Sequence, residues 1–440
     1  MQQSSITGFF KKAPGLNSSR RDEQRASNDR QERRPGPYRS HGSSSTPSMR
    51  GQHRGGKSPR NLELKKIAQE TKDVLPAVLK SLPGFGVDVS AVFDLNNLAP
   101  LDPADCPGHA LPTGDNDAGK VGARIRVLDK DSFDAAIELQ PGYTAKGHLR
   151  NFPPATSSAD DSEPETSPAA GDAEDADEMG LDGLPVTQPQ PPPPSWDLSA
   201  RPPRNAESVK ESQKDRSSAP TPKATTYTIP PFSRLAPSPV LVLNLASERH
   251  AGGGWQNGAM AQEESLCYRS SLYRSLRRAF YPLPSLSVIY TPSVVIIRSA
   301  TTDGHALYRE KALDLPVASV LSVAALRHPD LATDADGTDR FSNAGQRAET
   351  KRKIRTSLRV AARQGHKKLV LGALGCGVFA NPPTDVAECF LEVFREREFQ
   401  GGWWSDVVFA VLDNKSGGEG GQDGSGNFGQ FYRVLHGEVV

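Results

Sequence analysis

The chain has 440 residues, 39 of them glycine and 37 proline, and only 36% are hydrophobic. That lies below the roughly 45–50% of an ordinary globular chain, which excludes one continuous 440-residue fold and predicts segments that form no core. The 53 Lys/Arg nearly balance the 52 Asp/Glu, but the two signs are unevenly spread.

Residues 1–60 carry 13 Lys/Arg against 4 Asp/Glu, a net of +9, with Ser, Gly, Gln and Pro filling most of the rest. This composition predicts a disordered basic tail. Over 61–82, Leu64, Ile67, Ala68, Thr71, Leu75, Val78, Leu79 and Leu82 recur at helical spacing, with Pro76 expected to kink or interrupt the helix and Gly84 just past its end. Short strands are expected near 87–93 and 123–127, and a helix over 131–139. Residues 151–200 hold 11 acidic residues and no basic ones, then a proline run. They predict a disordered acidic, Pro-rich insertion over 151–225.

From about 226 the pattern alternates α and β. Buried strands are expected at 240–245, 294–297, 317–325, 369–374 and 407–412. Helices are expected at 265–277, 348–363 and 385–399, the last with Thr384 as its N-cap. Residues 415–427 read as a Gly-rich surface loop, and 428–435 as a closing strand or helix. Continuous apolar strands between helices predict an α/β sandwich covered on both faces. The domains expected are therefore the tail (1–60), an N-terminal extension (61–150), the insertion (151–225) and an α/β core (226–440).

No apolar run reaches the roughly 18 residues of a membrane span, and the first ten residues lack the pattern of an export signal. The four cysteines (Cys106, Cys267, Cys376 and Cys389) show no C-x-x-C spacing. A reduced compartment, no disulfide framework, no zinc site and no cofactor are expected.

Two Gly-rich turns follow buried strands: Gly252-Gly253-Gly254, and Gly375-Cys376-Gly377-Val378-Phe379. Beyond the carboxyl ends of strands in an α/β sheet, such turns let backbone N–H groups approach a phosphate, and two of them suit a diphosphate. Neither is a G-x-G-x-x-G or a P-loop. After the triplet and a seven-residue spacer stand Gln262-Glu263-Glu264, where a helical pattern begins. Adjacent carboxylates beside such a loop suit acid catalysis on a glycosidic bond. Like charges raise one pKa while a helix N-terminus favours the carboxylate, and the spacing alone leaves that contest open.

Together, GGG-x7-QEE resembles the signature of the poly(ADP-ribose) glycohydrolases. The surrounding residues 240–246, 265–273, 371–382 and 407–410 resemble the microbial-type branch of that family. The resemblance implies a macrodomain-like three-layer α/β/α sandwich with a mixed sheet that grips ADP-ribose. It makes Glu264 the catalytic acid–base and places Glu263 on a ribose hydroxyl of the scissile linkage. Gln262 would hold the loop, Gly252–Gly254 and Gly375, Cys376, Gly377 and Val378 would embrace the diphosphate, and Phe379 and Asn244 would meet the terminal ribose. Departures are Leu245 in place of Phe, His250-Ala251 in place of a Pro before the triplet, and Leu326 in place of Pro. The implied activity is hydrolysis of ribose–ribose bonds in poly(ADP-ribose). The alternatives are a non-catalytic ADP-ribose reader and a mono-ADP-ribosyl hydrolase of the same fold.

At the other end, Gln3, Ile6, Phe9 and Phe10, followed by Lys11-Lys12, resemble the PCNA-interacting peptide (PIP box). A short turn would present Ile6, Phe9 and Phe10 as an apolar plug beside Gln3. This implies the DNA sliding clamp as a partner, and with the basic tail it points to the nucleus. The tail also suits nonspecific contact with DNA or with the polymer.

Overall fold

The computed structural model describes residues 59–152, 156–157 and 227–440. The PIP-box residues 3–10, nearly all of the basic tail and nearly all of the acidic insertion lie outside the described residues.

Helix α1 (Pro59–Lys80) opens the described chain. Its buried stripe, Leu64, Ala68, Thr71 and Leu75, follows the expected spacing, because steps of three and four return to one helix face. Pro76 does not interrupt it: one missing donor near the last turn costs a single backbone bond while Leu75, fully buried, anchors the turn before it. Strand β1 (Ala91–Asp94), β2 (Ile125–Leu128), helix α2 (Ser132–Leu139) and α3 (Ala145–Asn151) follow. The carboxylate of Asp131 caps α2 by accepting from the Phe133 N–H at 2.8 Å. Strand β3 (Thr156–Ser157) pairs antiparallel with β4 (Tyr227–Thr228), so the two ends of the intervening segment meet.

The core continues with β5 (Leu241–Leu245), α4 (Gln262–Arg269), α5 (Leu272–Ser275), β6 (Ser287–Val295), β7 (Val317–Val323), the hairpin β8 (Leu331–Thr333) and β9 (Asp339–Phe341), α6 (Ala344–Arg363), β10 (Lys368–Leu371), α7 (Pro383–Phe394), β11 (Asp406–Ala410) and α8 (Asn427–Leu435). Seven strands form one sheet in the order β1-β6-β7-β5-β10-β11-β2. β7, β5, β10, β11 and β2 are parallel, and β6 and β1 join antiparallel. Alternate residues feed two cores. Leu241, Leu243, Leu371 and Phe409 pack with α6, α7 and α8. Val242, Val320, Val370 and Val408 pack with α1, α2 and α4. Each such fully buried aliphatic contributes about 1.5–3 kcal/mol.

Several elements differ from expectation. The helix expected over 265–277 breaks at Ser270, which is extended (φ −151°, ψ −179°) and bridges to Ile296. Its hydroxyl donates to the Leu266 carbonyl at 2.7 Å and so competes with the helix ladder. Strand β6 starts seven residues before 294, its first half hidden from an apolar search by Ser287, Thr291 and Pro292. A register shift between Thr291 and Val294 absorbs the proline. Thr384 is not the N-cap of α7: Pro382 holds that place, and the Thr384 hydroxyl donates to Gln430 at 2.8 Å. α7 ends at Phe394, before the expected 399. The closing segment is a helix, α8, rather than a strand.

Candidate active site

The site is built where β5 ends. Val242 and Asn244 face α4, and Leu245 is followed by the loop that carries the three glycines. Asn244 is fully buried; its amide donates to Ser322 Oγ at 2.9 Å and Glu263 Oε1 at 3.4 Å. Gln262, the first residue of α4, straddles the end of β5. Its Oε1 accepts from the Leu245 N–H at 2.9 Å, and its Nε2 donates to the Leu243 carbonyl at 2.7 Å and to Ser132 at 3.1 Å. These bonds fix the start of α4 against the sheet, so the next two side chains have defined positions.

Glu263 and Glu264 are 2% and 8% exposed. Oε2 of Glu263 accepts from the Ser247 N–H at 2.7 Å. Oε1 of Glu264 accepts from the Gly254 N–H at 2.9 Å, whereas its Oε2 is buried with no partner. A buried carboxyl oxygen with nothing to accept from is costly unless a ligand meets it. The glycine loop wraps over this pair. Gly253 has φ +60°, and a Cβ there would stand 2.4 Å from Glu264 Oε1 and 3.0 Å from Glu263 Oε2, so only glycine fits. Burial first, and then Glu264 beside it, push the Glu263 carboxyl up to about 8 against the donors Ser247, Asn244 and Gly252. Cys267 lies fully buried under both carboxylates, and burial raises its thiol.

The second loop closes the β10 end. Gly375 (φ +75°) turns the chain against Ala325 and Asn381. The Asn381 amide donates to the carbonyls of Leu326 (2.6 Å), Gly375 (3.2 Å) and Phe379 (3.3 Å), pinning the loop to the end of β7. Asn427, at the start of α8, donates to the Cys376 carbonyl at 3.1 Å. Nothing stands within 4 Å of the Cβ position of Gly377, which leaves its backbone open to close approach. Cys376 is buried with its thiol raised by burial; it fills space and is no thiolate nucleophile.

A cavity of about 760 Å³ runs along the carboxyl ends of the strands, past Leu245, Ala325, Ala373, Ala410 and Asp129. This is where α/β sheets bind ligands. Of the residues expected to bind, Gln262, Gly375, Gly377, Val378 and Phe379 border it. Glu263, Glu264, Cys376 and the expected phosphate-binding Gly252, Gly253 and Gly254 do not border it; Glu264, 8% exposed, immediately precedes Ser265, which does. Asn244 does not border the cavity. It sits behind Glu263, corrected from the expected ribose contact to a positioning residue, because the pleat turns it toward α4. Gln262 likewise spends its amide on the sheet and α2 rather than on the glycine loop.

The sequence reading missed the opposite wall. Leu64, Asp131, Ser132, Ser265, Tyr268, His305 and Asn427 border the cavity. Beneath them Arg269, with no exposed side-chain surface, pairs with Asp131 and Asp134. Arg298 reaches Glu70 at 2.8 Å and Thr71 at 2.9 Å, tying α1 to the site. In the sequence Asp131 stands only as the first residue of an expected helix, and nothing local marks its pairing with Arg269 across 138 positions. Among the described residues, no group of three or more His, Cys, Asp or Glu could hold a metal.

Residues 201–299, which contain β5, both glutamates and α4, match the family model for the microbial-type PARG catalytic domain. The match covers less than a quarter of the chain; the chain is a glycosidase enzyme. It is similar to the poly(ADP-ribose) glycohydrolase of Thermomonospora curvata at 22% identity over 85% of this chain and 99% of that one, with a TM-score of 0.47. The same enzyme bound to the inhibitor ADP-HPD aligns over 84% and 99%, with a TM-score of 0.46. The Deinococcus radiodurans glycohydrolase in complex with ADP-ribose is 33% identical over 44% of this chain and 75% of that one, with a TM-score of 0.34. Among curated proteins none matches. The match ends at residue 299; the second glycine loop lies beyond it and meets the matched segment at the cavity that Gln262, Ser265, Gly375 and Gly377 border.

Proposed function

We propose that this chain is a poly(ADP-ribose) glycohydrolase of macrodomain-like fold that hydrolyses the ribose–ribose O-glycosidic bonds of poly(ADP-ribose) and releases ADP-ribose. The observation that carries the reading is the Glu264 carboxyl, with one oxygen fastened to Gly254 N–H and the other buried and unpartnered, one residue before Ser265 in the cavity wall. Bond cleavage at the anomeric carbon develops oxocarbenium-like charge, and the departing sugar oxygen needs a proton. Glu264 donates that proton as the carbon–oxygen bond breaks. As carboxylate it then takes a proton from the attacking water, whose oxygen bonds to the anomeric carbon. One carboxyl serves both steps. Glu263, whose carboxyl burial pushes upward, meets a ribose hydroxyl. Gly375, Gly377 and Val378 offer backbone donors to the diphosphate, and Phe379 packs on the terminal ribose. The Gly252–Gly254 loop, expected to share that task, spends the Gly253 N–H on the His250 carbonyl and the Gly254 N–H on Glu264. An ADP-ribose reader has no use for a buried acid with a free oxygen.

The test is incubation of labelled polymer with wild type and Glu264→Ala, products being resolved by length. The proposal expects ADP-ribose from wild type alone. Intact polymer in both lanes would overturn it.

We further propose that Gln3, Ile6, Phe9 and Phe10 recruit the enzyme to PCNA at replication or repair sites in the nucleus, with the basic tail adding salt-sensitive contact to DNA or polymer. The spacing of these four residues supports this. A peptide spanning 1–14 that fails to bind PCNA at ~100 μM, about −5.5 kcal/mol, ends the idea.

A further inference from the structure

We infer that Arg327 binds a phosphate of the ADP-ribose unit adjoining the one being released, and so sets a preference for polymer over a single unit. The inference rests on the glycohydrolase reading above and concerns one residue outside the machinery described so far.

Arg327 follows β7, two residues beyond Ala325 in the cavity wall, and its guanidinium carbon lies 5.2 Å from the centre of the ring of Phe379, which also borders the cavity. Both of its neighbours are fastened to the loop that carries Phe379. The Leu326 carbonyl accepts from Asn381 at 2.6 Å, and the His328 N–H donates to the Phe379 carbonyl at 2.9 Å. His328 is held at φ +48°, a left-handed backbone uncommon for a residue with a side chain. The corner is thus fixed at some conformational cost, and what it fixes is the cation against the ring.

Arg327 is exposed, and no carboxylate pairs with it among the described residues. A guanidinium lying on an aromatic face keeps its N–H edges free for an oxyanion. On the reading above, the released unit's own diphosphate is held by the Gly375–Val378 loop in the cavity, which Arg327 does not border. A phosphate that meets Arg327 therefore belongs to the next unit along the polymer, one sugar beyond the cleaved bond.

The experiment compares wild type, Arg327→Gln and Arg327→Lys in the full chain. It measures KM and kcat on polymer across a salt series, the Kd for free ADP-ribose, and thermal melting. For Arg327→Gln, KM for polymer should rise roughly tenfold, the contribution of one charged phosphate contact. Its salt dependence should lose a slope of about 1, while kcat, the ADP-ribose Kd and melting stay at wild-type values. Arg327→Lys should recover part of the loss, since it keeps the charge without the planar fork. Unchanged KM and salt slope would overturn the inference, as would an ADP-ribose Kd that rises in step with KM, because Arg327 would then merely support Phe379. If wild type neither binds ADP-ribose nor cleaves polymer, the functional reading falls and takes this inference with it. If wild type does both and the variants match it, this inference alone falls.

Discussion

The Gly254 N–H holds Oε1 of Glu264 at 2.9 Å across a separation of ten residues, and the carboxyl's other oxygen is left buried and unpaired. The loop thereby aims the acid. Gly253 is the tightest point, since a Cβ would stand 2.4 Å from Oε1 on a backbone at φ +60°. Gly253→Ala should displace the carboxyl and lower kcat by ~10²-fold, the cost of a misplaced catalytic group. It should also lower stability by about 1–2 kcal/mol, the strain of a left-handed residue. Steady-state kinetics beside thermal melting check both; near-normal kcat would show that the loop does not aim Glu264.

Glu263 provides a test by pH. Its folded pKa, raised from 4.5 to about 8, makes its contribution to stability largest below pH 4.5, with progressive loss as pH rises from 4.5 through about 8. Glu263→Gln has no proton to lose. Its melting temperature relative to wild type should therefore climb between pH 5 and pH 9. A difference that stays flat over that range would mean that Glu263 ionises normally.

The strands at the centre of the sheet were legible because β5, β7, β10 and β11 are buried on both faces and so read as apolar runs. The first half of β6 was not, because Ser287, Thr291, Pro292 and Ser293 break that run although all of β6 is buried. Their polar atoms are satisfied by partners distant in the chain: Ser287 donates to Asp94 at 2.7 Å, and the Pro292 carbonyl accepts from Ser319 at 2.7 Å. The glycine loops and both glutamates were legible as a spaced motif. The direction of Asn244 depended on which face of β5 meets α4, and the Arg269–Asp131 pair on a fold that joins distant residues, so neither had a local signal.

That pair makes its own prediction. Asp131 caps α2, accepts from Ser265 at 3.2 Å and neutralises the buried Arg269. Asp131→Ala should destabilise, by less than the about 3–5 kcal/mol of a stranded buried cation, because Asp134 still pairs with Arg269. Asp131→Asn, which keeps a capping oxygen, should lose less. Denaturant midpoints of the two variants check the order, and equal losses would contradict it.

Two buried histidines set the acid limit. Burial first, and then His366, depress His148 from 6.5 to about 3, and burial takes His366 to about 4 against the Pro239 carbonyl. Their partners are neutral: Tyr143 and Ser293 for His148, Tyr290 and Pro239 for His366. With folded values below the unfolded one, their stabilisation is complete above pH 6.5 and is lost as pH falls from 6.5 through about 4 and 3. Melting should drop over that interval, and His366→Gln should flatten the drop; an unchanged slope would assign the acid loss elsewhere.

The central claim is the proton carried by Glu264. Its most direct measurement is single-turnover cleavage of labelled polymer by Glu264→Gln, with ADP-ribose affinity measured on the same preparation. The account predicts a rate lowered by ~10²–10⁴-fold at unchanged affinity. A rate close to wild type at equal affinity would contradict it.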